Sequence, residues 1–79
     1  MKTIRASWYE VWLKKSYGAK LPGSHHNQRE AKSAIKKAIE KQKEAGYKPD
    51  EYYIMIADYI RTYDENGDTI SETTTYARI

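Results

Sequence analysis

The run "EYYIMIADYIRTY" (Glu51–Tyr63), followed by "DENGD" (Asp64–Asp68) and "TISETTTYARI" (Thr69–Ile79), decides the fold. Two segments rich in β-branched and aromatic residues flank an Asn-Gly pair. That pair is the strongest short hairpin signal, because both central residues of a type I′ turn need positive φ. Two registers fit. A two-residue turn at Asn66–Gly67 sets Ile56 against Ala77, Ile54 against Ile79 and Arg61 against Glu72. A three-residue loop instead sets Ile60 against Glu72 and Ile54 against Arg78. The first register is preferred, since it keeps one face apolar and matches a charge pair across the strands.

Upstream, Ala31, Ala34, Ile35, Ala38, Ile39 and Ala45 recur at the i, i+3, i+4, i+7 spacing of an amphipathic helix over Gln28–Ala45. Most of these are alanines, so the helix can lie close on a sheet. Gly46 is placed to end it in the left-handed conformation, and Pro49 prevents continuation. At its start, Asn27 with Glu30 forms an Asx version of the capping box, in which Asn27 accepts a helix N–H and Glu30 reaches back to the cap.

The segment "TIRASWYEVWLK" (Thr3–Lys14) reads as a strand. Its alternation is broken: Ile4, Ala6 and Trp8 share one face, while Val11 and Leu13 fall on the other. A bulge near Trp8–Glu10 would bring both sets inward, and burial on both sides would serve as well. "KKSYGAKLPG" then supplies turn residues and leaves room for a short return strand around Ala19–Leu21. The order is β-α-β-β, an α+β domain: a three-stranded sheet, mainly antiparallel or split, with one helix on one face and the other face open to solvent or a partner.

Seventy-nine residues make one domain, spanning 1–79, and a chain of this size buries only about 60–65% of its unfolded surface. Thirteen large aliphatic residues and two tryptophans must supply most of the core, because phenylalanine is absent. The eight tyrosines are amphipathic, and several are expected at the surface. With no cysteine there is no disulfide framework and no thiolate zinc site. "MKTIRASWYE" lacks the apolar run of a signal peptide, and no stretch approaches a membrane span. The expectation is a soluble, cytoplasmic protein with no membrane partner. The net charge of +3 divides into +7 over residues 1–50 and −4 over residues 51–79, so the molecule is electrically two-sided.

Four features are candidates for function. In "PGSHHNQRE" (Pro22–Glu30) the only two histidines, His25 and His26, stand side by side. Adjacent histidines point apart and no third ligand is specified, so no metal and no cofactor is implied. Arg29, Lys32, Lys36 and Lys43 form one basic flank of the helix, able to track phosphates. In the preferred register Tyr53, Tyr59, Tyr63 and Tyr76 occupy the sheet face away from the helix, together with Met55, Arg61, Ile70 and Arg78. Tyrosine, methionine and arginine are the residues that binding surfaces enrich, and an open aromatic sheet can also stack unpaired bases. Asp58 interrupts the face of Ile54, Ile56 and Ile60; Thr75 sits opposite it as a hydroxyl partner.

Gly23-Ser24-His25-His26 resembles the Gly-Ser-His-His box of HicA-type toxins, small RNA-cleaving proteins of bacterial toxin–antitoxin pairs. That resemblance implies His25 or His26 as general acid or base. It departs from the family in that Asn27, where an aromatic residue is usual, begins a helix instead of continuing a strand. In size, absence of cysteine and one helix on a small sheet, the whole chain resembles the small accessory proteins of phages and mobile elements, anti-CRISPR inhibitors among them. That resemblance implies a non-enzymatic module with no catalytic residues. It would dock the Tyr/Arg sheet face or the basic helix flank on a protein partner, a host nuclease or nucleoprotein complex in the host cytoplasm, and act sterically. Direct nucleic-acid binding is the rival expectation, and the RNase reading the third.

Overall fold

The computed structural model describes residues 1–16 and 18–79. Four elements follow in chain order: β1 (Lys2–Leu13), α1 (Gln28–Glu44), β2 (Tyr52–Tyr63) and β3 (Thr69–Arg78). The strands form one antiparallel sheet in the order β1-β2-β3, with β2 central. The expected α+β arrangement is therefore the one observed. No helix is long and apolar enough to cross a membrane among the described residues.

β1 pairs with β2 without a register shift, from Lys2 opposite Tyr63 to Leu13 opposite Tyr52. The broken alternation therefore reflects burial on both sides and not a bulge. Val11 is fully buried on the face under α1, and its neighbour Glu10 is nearly as buried on the opposite face. The helix side is identified by Tyr52, whose hydroxyl donates to Gln42 of α1 at 3.2 Å. By alternation the odd residues of β1 and the even residues of β2 face the helix, and the others form the open face.

The hairpin departs from expectation in its turn. Gly67 has φ +85, but among the described residues only glycines have positive φ, so Asn66 cannot belong to a type I′ turn. Asp64 and Asp68 instead close a three-residue loop, with the Asp68 C=O accepting from the Asp64 N–H at 2.9 Å. The Asp64 carboxylate accepts the N–H groups of Asn66 and Asp68, both at 2.9 Å. Left alone, that loop would impose the rejected register. A bulge restores the preferred one: pairing runs Tyr63–Thr69 and then Thr62–Ser71, so Ile70 is the extra residue. Arg61 thus meets Glu72 and Ile56 meets Ala77 as expected.

The helix ends as its local chemistry dictates. Asn27 accepts the Glu30 N–H at 2.9 Å, but the Glu30 carboxylate passes the cap and accepts the His26 N–H at 2.8 Å. At the other end Ala45 is the cap residue and Gly46 takes φ +81. Tyr47 N–H then donates to Gln42 C=O and Gly46 N–H to Lys43 C=O, the two bonds of a Schellman motif. A polar knot ties this end to the sheet. Gln42 donates to Asp50 at 2.7 Å and accepts the Asp50 N–H at 3.0 Å. Lys15 pairs with Asp50 at 2.7 Å and, with Gln42, holds that carboxyl below the usual range.

Residues 19–25 run antiparallel along the outer edge of β1. Leu13 N–H donates to Ala19, Leu21 N–H to Val11, and His25 exchanges two bonds with Tyr9, all at 2.8–2.9 Å. The room left for a return strand is thus filled by two isolated bridges, Trp12–Lys20 and Tyr9–His25. The core is small: among the described residues only Val11, Ala31 and Ala57 are fully buried hydrophobics. Residues 2–7 of β1 and every residue of β3 are exposed.

Candidate binding face on the open side of the sheet

On β1 the spacing Trp8-x-Glu10-x-Trp12 puts all three side chains on the open face, since a strand repeats every two residues. The Glu10 carboxylate lies between the two indoles, accepting the Trp8 Nε1–H at 2.8 Å on one oxygen and the Trp12 Nε1–H at 3.1 Å on the other. Lys20, brought alongside by its bridge with Trp12, pairs with Glu10 at 3.3 Å. Burial alone would push the Glu10 carboxyl up. The donors from Trp8, Trp12 and Lys20 outweigh that and hold it below the ordinary value. The carboxylate thereby locks both indoles in place, so this half of the face is rigid.

β2 contributes Tyr53, Met55, Ala57, Tyr59, Arg61 and Tyr63 to the same face, and β3 adds Tyr76 and Arg78. Trp8, Ala57 and Tyr76 form one cross-strand row, and the small alanine is buried between the rings. Trp12 and Tyr76 meet edge to face across β2 at 5.6 Å between centroids, and Trp8 lies tilted against Tyr59 at 6.3 Å. Arg61 stands 5.0 Å over the Tyr63 ring and Arg78 4.6 Å over Tyr53. Arg61 also donates to the Thr69 hydroxyl through Nε at 2.9 Å. The Tyr59 hydroxyl donates to Glu72 at 2.9 Å; burial and that carboxylate raise the phenol's pKa.

All six sheet residues expected at a binding surface, Tyr53, Tyr59, Arg61, Tyr63, Tyr76 and Arg78, therefore lie on one face. Ile70 is the exception among their expected neighbours, being the bulge residue. The basic flank is elsewhere. Lys32, Lys36 and Lys43 line a shallow groove with Ile35 and Ile39 on α1, and Arg29 is exposed in the helix's first turn. The helix covers the other side of the sheet, so flank and tyrosines do not make one continuous surface. Lys32 shares a groove with Tyr53 and Arg78 at the sheet end.

Asp58 is exposed, opposite Thr75 as expected, but its hydroxyl partner is Ser7 of β1 at 2.6 Å. His25 and His26 are engaged through their backbones, by Tyr9 and Glu30. Among the described residues no group of three or more His, Cys, Asp or Glu could hold a metal. Glu10, Trp8, Trp12 and Lys20 are the members of the face that sequence reasoning missed. The signal was available in a carboxylate spaced by two from a tryptophan on either side within a strand.

No family model, curated protein or solved structure matches the chain.

Proposed function

We propose that the chain is a small non-enzymatic binding module that docks its open sheet face on a protein partner. The observation that carries this reading is the continuous face of Trp8, Trp12, Tyr53, Tyr59, Tyr63 and Tyr76 interleaved with Arg61 and Arg78, left uncovered by the helix. Its rings are held at fixed angles by one another and by Glu10, so ordering them on binding costs little entropy.

The ring geometry favours protein over nucleic acid. Base stacking needs free ring faces, whereas one face of Tyr53 and one of Tyr63 are each covered by a guanidinium group. In the manner of anti-CRISPR proteins, such a module would inhibit a host nuclease complex by occupying a surface that nucleic acid or a moving domain requires.

The test is expression in a bacterial host whose CRISPR nuclease restricts a phage, with plaque formation as readout. Restored plaquing that disappears in Tyr59→Ala and Tyr76→Ala variants, both still folded by circular dichroism, supports the reading. Binding to generic single-stranded RNA or DNA that collapses as salt rises, with no effect on restriction, replaces it by direct nucleic-acid binding.

A further inference from the structure

We infer that two copies of this chain pair through the outer edge of β3, giving a six-stranded sheet with the two-fold axis at Thr75. The inference does not depend on what the open face binds.

The chain exposes 6045 Å², against about 5,000 Å² for a compact monomer of its mass. Its radius of gyration is 16.3 Å, where about 12 Å is usual for this length. The excess is comparable to the roughly 800 Å² that each partner buries in a standard interface.

On β1, residues 19–25 occupy the outer backbone groups from Tyr9 to Leu13. The free remainder, Thr3 to Ser7, would oppose Arg5 to Arg5 if it paired with itself in full overlap, a like-charge contact. Among the described residues nothing covers β3, and α1 packs on β1 and β2 only. The Ile79 N–H donates to Ile54 at 3.1 Å, so odd-numbered residues of β3 point their backbone groups at β2. By alternation the N–H and C=O groups of Glu72, Thr74, Tyr76 and Arg78 point outward, a row of unmet donors and acceptors that invites another strand.

Antiparallel self-pairing centred on Thr75 places Thr74 opposite Tyr76 of the second copy, both outward-pointing, as a hydrogen-bonded pair. The same register sets Glu72 opposite Arg78 of the second copy, twice across the axis. A shift of the axis to Thr74 or Tyr76 breaks both charge pairs, so complementarity selects one register.

Sedimentation velocity of the native chain should give twice its 9.3 kDa mass at micromolar concentration. The chain has no cysteine, so single cysteines report the axis. Thr75→Cys should form a disulfide dimer at least about tenfold faster than Thr73→Cys, because only residue 75 faces itself. Thr73→Cys mixed with Ala77→Cys should crosslink as a heterodimer. Thr74→Pro removes an outward N–H that its own sheet does not use, and should sediment as a folded monomer. A native chain that remains at 9.3 kDa up to about 100 μM overturns the inference. So does a dimeric Thr74→Pro variant, or equal crosslinking at positions 73 and 75. Should Thr74→Pro fail to fold, the cysteine comparison decides.

Discussion

The two edge strands of one sheet have opposite fates. β1 has α1 over part of one face, two tryptophans on the other and a covering segment on half of its edge; β3 is exposed along all ten residues. Val11 and Glu10, adjacent on β1, are buried on opposite sides, one by apolar packing and the other by hydrogen bonds. In a chain too small for a thick core, burial is concentrated on one edge strand, the central strand and the helix, and the other edge strand is presented to the surroundings.

The sharpest way to break that comparison is to make one change on each strand. Val11→Asp buries an unpaired carboxylate among apolar groups and should abolish folding, since its cost of at least about 4 kcal/mol approaches the stability of a domain this small. Thr73→Asp lies on the same side of the sheet but on β3, and should cost less than about 1 kcal/mol. Val11→Asp should show no cooperative urea transition and Thr73→Asp a near-native midpoint; loss of the transition in both would mean that β3 is buried in solution.

A smaller contrast sets Glu10 beside Glu72. Replacing Glu10 by Gln leaves one acceptor for two indoles and no charge for Lys20, and should cost about 2 kcal/mol. Glu72→Gln, on the exposed strand, should fall within about 0.5 kcal/mol. The pH dependence follows from the direction of the Glu10 shift. Its folded pKa lies below the unfolded value near 4.5, so the stabilisation is complete above that pH and fades as pH falls through the lower, folded value. Glu10→Gln should flatten the acid limb of a plot of thermal midpoint against pH, leaving the part due to Asp50.

The turn gives a third contrast, between neighbours. Gly67→Ala forces a side chain into positive φ and should cost about 1 kcal/mol. Asn66→Ala should cost only a few tenths, because Asn66 has negative φ and donates through its backbone alone. Equal losses at both positions, read by thermal unfolding, would restore the type I′ turn.

At Tyr76 stability and function should separate: Tyr76→Ser should shift unfolding by less than about 1 kcal/mol. The restored plaquing expected of the proposed docking face should nevertheless disappear. A variant that keeps full inhibition would move the docking surface off β3 and onto the tryptophans of β1.

The register of β2 against β3 was legible in the sequence although the turn was not. Hydrophobic alternation and the Arg61–Glu72 pair depend on which face is buried, and a wrong face would expose every apolar residue at once. The Asn-Gly signal concerns two residues, and the structure meets the same register by another route, with a three-residue loop and the bulge at Ile70. For the site, the six sheet residues were legible from period two. Trp8, Glu10 and Trp12 were not assigned, because broken alternation fits either a bulge or burial on both sides.

What the sequence determined by itself is local. Asn27 caps a helix because its side chain reaches a backbone N–H three residues on, Gly46 ends it because glycine bears positive φ without cost, and alternation sorts strand residues into two faces. Tertiary structure decided which of those faces met anything. Glu10 became a buried anchor because the segment after β1 folds back to bring Lys20 beside it, and β3 stayed bare because the helix spans only the other two strands. Capping and alternation act over a few bonds and are encoded residue by residue, whereas burial depends on where distant segments come to rest.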